Sequence, residues 1–331
     1  MVEPVSSVSI IVEMDNASLV DWDDVGALIA VLQQEIVTYK SSRPKTQFEL
    51  LFALDGSDDD AAALRGDILE ACPSLTSTAT LVCHSLADGR YYELKNAGAQ
   101  MATGEIIIFA DSDMAPEPAW LATLLEPFSD PSLQAVNGYT YLDYNDFLSR
   151  VLALYWVFPL RDNDDSKWKH RSLNANNCAF RRSWFLQNQF PFHLGFKLSC
   201  GMLWKQMVKD GVPFRKLEAY ARHAPFQGWR FFVWRALVTG QDEDRRYTMR
   251  TSSLRLARSV HAVLTLFKKL KKALRRTKSH GAEVGLSALQ KPAAFLVWTT
   301  FLVLAFLGQI QHALGFKNKA PEIIPKGIEV S

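Results

Sequence analysis

The chain has 331 residues, 48% of them hydrophobic and 22% charged, which excludes a disordered chain and leaves room for one large folded domain with an appendage. The formal net charge of +2 conceals a division, because Arg245 to Ala282 contains twelve Lys or Arg and no Asp or Glu, leaving the remainder at −10. Four scattered cysteines, Cys72, Cys83, Cys178 and Cys200, argue against a zinc site and a disulfide scaffold and fit a reducing compartment.

Met1 to Ser9 has neither a basic start nor an apolar core of signal-peptide length, so the catalytic portion is expected to stay in the cytoplasm. From Val8 to about Asn137, β-like apolar runs alternate with helix-like stretches. The runs Val8 to Val12, Phe48 to Leu54, Thr80 to His84 and Glu105 to Ala110 are predicted strands. Trp22 to Tyr39, Asp60 to Ala71, Tyr91 to Ala102 and Ala119 to Glu126 are predicted helices. This rhythm predicts a mostly parallel α/β sheet, in which ligands gather at the carboxyl ends of the strands. Those ends carry Glu13, Asp15, Asp55, Asp111 and Asp113.

Tyr139 to about Asp244 is mixed, aromatic and Arg-rich, with helical stretches at Phe147 to Phe158 and Gly201 to Lys209. Leu254 to Lys278 reads as a basic amphipathic helix with apolar residues at three- and four-residue spacing. Such charge can mark a solvated face or a nucleic-acid contact. This helix carries no nucleic-acid motif and runs toward an apolar run, Ala293 to Gly308, that continues to Leu314, so a membrane is the expected partner and nucleic acid is not. The basic cluster before the run places the folded domain on the cytoplasmic side, with Lys317 and Lys319 beyond it weakening that orientation.

The sharpest chemical feature is Phe109-Ala110-Asp111-Ser112-Asp113, where an apolar strand delivers two carboxylates near its end. Two anions a few ångströms apart repel by about 4 kcal/mol at an effective dielectric of roughly 20, so a partly buried pair calls for a cation. Mg2+ or Mn2+ is the natural partner; held there it can bind a nucleotide diphosphate and act as Lewis acid when the sugar departs. An Asp-x-Asp alone is equally a solvated acidic loop.

Leu94-Lys95-Asn96-Ala97-Gly98, Ala102-Thr103-Gly104 and Glu105 to Asp113 together resemble the core signature of family 2 glycosyltransferases, which have the GT-A fold. The likeness extends from about Val8 to Asp244, with Leu54-Asp55-Gly56-Ser57 resembling the second-strand motif. It implies that Asp55 contacts the nucleotide base, Asp111 the ribose, and Asp113 a catalytic metal ion. Lys95 stands where the family often has Arg, close to a diphosphate; Glu13 is a candidate contact for base or ribose. Ala219 to His223 resembles a late strand whose histidine is a second metal ligand, and Asn176 and Asn177 fall in the segment beneath the donor sugar. Each has a plainer reading: Asp55-Gly56-Ser57 is good turn chemistry, Lys95 can be solvated, His223 structural and the asparagines a turn.

The departure lies at the general base. Where relatives carry an acidic pair, spacing back from Gly211 places Ser199 and Cys200, neither of which is a good base. Asp162, Asp164, Asp165 or the Asp242-Glu243-Asp244 cluster could substitute, with Asp242 the candidate carried forward. A lipid-phosphate acceptor, already anionic, is a second solution, and a chain that binds nucleotide sugar without transferring it is a third. A nucleotidyltransferase would need an early Gly-rich basic loop, and Glu13 to Asp24 offers acidic residues instead.

The resulting expectation is a GT-A domain over 1–250, divided into a nucleotide-sugar half (1–137) and an acceptor half (138–250). A basic juxtamembrane helix (251–285), a transmembrane helix (288–314) and a tail (315–331) follow, with the whole at the inner (plasma) membrane. The resemblance implies an inverting transferase that moves a sugar from a UDP- or GDP-sugar to a glycan, polyprenyl-linked or lipid acceptor in envelope or extracellular polysaccharide synthesis.

Overall fold

In the computed structural model, which describes residues 5–19, 22–155, 158, 160–161, 173–191, 198–224, 228–249, 251 and 254–316, strands and helices alternate through the first part of the chain. The order is β1 (Ser7–Glu13), α1 (Trp22–Ser42), β2 (Gln47–Leu54), α2 (Asp58–Ala71), β3 (Thr80–Ser85), α3 (Tyr91–Met101), β4 (Ile106–Asp111), β5 (Met114–Pro116), α4 (Trp120–Leu125) and β6 (Ala135–Leu142). There follow α5 (Phe147–Tyr155), β7 (Asn177–Arg181), α6 (Arg182–Gln187), α7 (Leu198–Lys209) and β8 (Phe214–His223). Three long helices come last: α8 (Trp229–Thr248), α9 (Arg255–His280) and α10 (Gln290–Leu314).

The four early strands and four early helices lie within three residues of their expected ends. One eight-stranded sheet has the order β3-β2-β1-β4-β7-β6-β8-β5. It is parallel from β3 through β4, while β7 runs antiparallel to both β4 and β6, and β5 runs antiparallel to β8. The parallel half is the part that was legible; the antiparallel half makes the sheet mixed. Every residue of β4 is buried, and so are six of the seven in β1. Central strands covered on both faces read as unbroken apolar runs rather than alternating ones. Helix α3 packs on β1 and β2. The loop before β4 presses so close to β1 that a Cβ at Gly104 would lie 2.5 Å from the Ser9 nitrogen, and the Gly104 N–H donates to Ser9 Oγ at 2.9 Å.

The chain divides into two compact units. The first comprises Met1–Tyr141, Asn163–His193 and Ser199–Ala224; the second comprises Leu142–Asp162, Leu194–Leu198 and Pro225–Ser331. The sheet and its flanking helices belong to the first. The second contains α5 and α8 to α10, and α8 is a helix that the mixed aromatic and charged composition of its segment did not reveal. Helix α10 is long and apolar enough to cross a membrane. Asp162, Asp164, Asp165, Lys317 and Lys319 lie outside the described residues. The four cysteines are all free.

Candidate functional site

The register of the sheet assembles an acidic cluster. Glu13 and Asp111 end adjacent parallel strands and are paired across them. Three residues beyond Asp111, the chain enters β5, whose Met114 is paired with His223 of β8, so His223 stands beside Asp113. Asp111, Asp113 and His223 are each 3% exposed, and one potential ligand atom from each lies within 4.8 Å of the other two.

Each side chain in this set is held differently. Asp111 accepts from Tyr91 Oη at 2.9 and 3.0 Å and from Lys95 Nζ at 2.7 Å. Tyr91 and Lys95 are four residues apart on α3 and so share a face. The Lys95 ammonium also donates to the Ala110 carbonyl at 3.0 Å and lies 4.7 Å from the centre of the Tyr91 ring. His223 Nδ1 lies 2.9 Å from the Ala224 carbonyl oxygen. A carbonyl only accepts, so Nδ1 carries the hydrogen, and Nε2 faces Asp113 Oδ1 at 3.3 Å. Neither carboxylate oxygen of Asp113 accepts a hydrogen bond.

The electrostatics are strained in one direction. Burial raises the Asp113 carboxyl to about 6, against the lowering effect of His223 and with a further rise from Asp111. Burial raises Asp15 to about 6 as well, with Arg90 lowering and Asp55 raising it. Glu13, fully buried, is pushed well above the carboxylate range by burial and then by Asp111; its Oε2 accepts the Asp15 N–H at 2.9 Å, and its Oε1 has no hydrogen-bond partner. Two buried carboxylates, one of them lacking hydrogen bonds, and an imidazole whose Nδ1 is held by a carbonyl so that Nε2 faces the carboxylates form a donor set suited to Mn2+ or Mg2+. The residues therefore fit a divalent ion.

Comparison with known proteins decides the family. The model of glycosyl transferase family 2 matches residues 9–187, more than half of the chain. The chain belongs to this family. A glucosyl-dolichyl phosphate glucuronosyltransferase from Haloferax volcanii is 24% identical over 146 residues, covering 42% of this chain and 44% of the relative. The chain thus matches less than half the length of that relative. The mannosyltransferase PcManGT from Pyrobaculum calidifontis, solved in complex with GDP-Man and Mn2+, is similar with a TM-score of 0.55 over 96% of this chain and 89% of that one, at 17% identity. The shared architecture is the GT-A fold.

Several of the expected site residues of this family 2 chain have partners within the fold. Lys95, expected beside a diphosphate, is fully buried, and its charge reaches the site through Asp111. Asn177, expected under the donor sugar, is also fully buried: its Oδ1 accepts from Trp120 Nε1 at 2.9 Å, and its Nδ2 donates to the Tyr139 and Ala219 carbonyls at 3.0 Å. Its amide makes three hydrogen bonds within the fold. Asn176, 4% exposed, accepts from Thr140 Oγ1 at 3.1 Å. Asp55 opens the loop after β2, two residues before Ser57, which caps α2 in a reciprocal box with Asp60. Tyr91 escaped the sequence reading; its signal is the four-residue spacing to Lys95.

Asp242 is not part of the unit that holds the acidic cluster. It is fully buried on α8, 3.5 Å from Arg245. Its neighbours Glu243 and Asp244 are paired with Lys269 and Arg258. Ser199 Oγ donates to the Pro191 carbonyl at 2.6 Å, and the Cys200 thiol, 2.7 Å from the Leu173 carbonyl, is pushed by burial up to about 12. A thiol with that pKa is not a base at neutral pH.

Proposed function

We propose that this chain transfers a sugar, with inversion, from a UDP- or GDP-sugar to a polyprenyl- or lipid-linked phosphate at a membrane surface. The observation that carries the reading is the buried Asp111, Asp113 and His223 set at the rim of the sheet. A divalent ion bound there would neutralise charge on the leaving diphosphate. Asp111, anchored by Lys95 and Tyr91, is suited to the ribose, while Asp55, Asp15 and Glu13 line the strand ends where a nucleoside lies in such sheets.

In the transfer, an acceptor oxygen forms a bond to the anomeric carbon as the bond from that carbon to the diphosphate oxygen breaks, and a nucleoside diphosphate departs with the electron pair. A hydroxyl acceptor would have to lose its proton to a base. A phosphate oxygen is already anionic, which suits a chain with Ser199 and a high-pKa Cys200 at the expected base positions. The name of the Haloferax volcanii relative, a glucosyl-dolichyl phosphate glucuronosyltransferase, supports a polyprenyl-linked acceptor, although the lipid it names already bears a sugar and would offer a hydroxyl. The basic and apolar helices α9 and α10 would hold the chain at the cytoplasmic face of the membrane that carries such lipids.

A thermal-shift panel of UDP- and GDP-sugars with and without Mn2+, followed by transfer to polyprenyl phosphate, tests this. One donor is expected to stabilise the protein only with metal, and Asp113→Asn to remove that shift and the transfer. Stabilisation by a donor without transfer or donor hydrolysis would make the chain a nucleotide-sugar-binding protein instead.

A further inference from the structure

Helix α10 is flanked along most of its length by charged helices. On one side, Phe232 of α8 packs against Phe301 with ring centres 5.3 Å apart, Gly240 faces the backbone of Ala305 and Gln309, and Asp244 Oδ2 lies 2.6 Å from His312 Nδ1. Helices α8 and α10 therefore run side by side in the same direction. Helix α9 packs beside both: Arg258, which also pairs with Asp244 of α8, donates to the His312 carbonyl at 2.9 Å, His261 Nδ1 lies 3.2 Å from Gln309 Nε2, and the Lys291 side chain meets Gly281 at the turn, so α9 runs antiparallel to α10.

A bilayer-crossing α10 that kept these neighbours would carry the Lys268 to Arg276 cluster of α9, which lies level with the middle of α10, to hydrocarbon depth, where each charge is costly. Crossing without them would break the Asp244–His312 pair and expose the backbone contact at Gly240. Meanwhile α9 buries Ala262, Ala273 and Thr277 on one face and presents Leu256, Val260, Val263, Leu264, Phe267 and Leu274 outward, each between 41% and 78% exposed. That stripe is bordered by Lys268, Lys271, Lys272 and Arg275, and α9 contains no acidic residue. An apolar stripe with a cationic border complements an anionic lipid surface. The outward residues of α10, among them Leu296, Val303 and Leu307, are apolar too.

We propose that α9 lies in the plane of an anionic membrane leaflet, its outward stripe among the acyl chains, and that α10, packed alongside, lies parallel to the same surface instead of crossing it. The two ends of α10 then face one compartment. Full-length protein with Ala282→Cys or Phe316→Cys, in sealed inverted vesicles from the producing cells, tests this with a membrane-impermeant maleimide, the native cysteines setting the background. Both positions are expected to react before permeabilisation; reaction of one only after detergent overturns the in-plane arrangement. On preformed liposomes, Phe267→Glu and Leu264→Glu, both at exposed sites, are expected to weaken binding to phosphatidylglycerol-containing vesicles by roughly tenfold or more, about what withdrawing one apolar side chain implies. Wild-type binding by both variants, equal binding to phosphatidylcholine alone, or no vesicle binding overturns the proposed surface. None of these readouts requires sugar transfer, so they succeed or fail separately from the transferase reading.

Discussion

Lys95 Nζ lies 2.7 Å from Asp111 Oδ1, and neither side chain is more than 4% exposed. The ammonium is the counter-charge within a cluster that otherwise holds Glu13, Asp111 and Asp113. Lys95→Met leaves the Asp111 carboxylate buried without it, and removing one partner of a buried pair costs about 3–5 kcal/mol. Chemical denaturation should show a loss of that order, and the double variant with Asp111→Asn should recover much of it. A single variant as stable as the wild type would show that the pair does not hold the site together.

The same cluster sets a pH dependence. Asp15 and Asp113 have carboxyls raised from 3.8 to about 6, in each case first by burial. A carboxyl raised in the folded state contributes its full stability below 3.8 and loses it as pH climbs through about 6. For buried Asp113 alone the difference is roughly 3 kcal/mol. Metal-free protein should therefore melt at a lower temperature at pH 7 than at pH 5, and Mn2+ should restore more stability at pH 7. Thermal denaturation across this range checks it; Asp113→Asn should flatten the profile and remove the response to Mn2+.

How far the site was legible depended on where each side chain finds its partners. The strands β1 and β4 carry the apolar runs Ile10 to Val12 and Ile106 to Ala110, covered on both faces, and such runs stand out in any sequence. Asp111 and Asp113 follow directly from the end of one. By contrast, β6 and β7 place Asn137, Gly138, Thr140 and Asn177 at buried positions, which interrupts the apolar pattern of a strand. The role of Lys95 depends on Asp111, sixteen residues away, and that of Asn177 on Trp120, Tyr139 and Ala219. Spacing along the chain carries no record of these partners until the register of the sheet brings them together.

Asn177 offers a direct test of that distinction. Asn177→Ala would strand the Trp120 indole N–H and the carbonyls of Tyr139 and Ala219, all of which its amide now satisfies. An unsatisfied buried polar group costs about 1–3 kcal/mol. A stability loss of at least about 2 kcal/mol is expected from the three together, with little change in the donor KM of the folded fraction. A raised KM at unchanged stability would return Asn177 to the donor pocket.

Gly240 sets two opposing effects against each other. In mid-helix, Gly→Ala normally stabilises by about 0.5–1 kcal/mol, because alanine loses less backbone entropy. Here the added Cβ would lie 1.8 Å from the Ala305 carbonyl oxygen and 2.7 Å from the Gln309 nitrogen. Both are backbone atoms of a packed helix, which no rotamer change can move aside, and such overpacking costs about 1–3 kcal/mol or more. The collision is expected to win, so Gly240→Ala should lower the melting temperature and open α8 and α10 to limited proteolysis. Gly201 on α7 is the control: a Cβ there meets nothing within 4 Å, so Gly201→Ala should be neutral or stabilising. Equal behaviour of the two variants would mean that α8 and α10 are not in backbone contact.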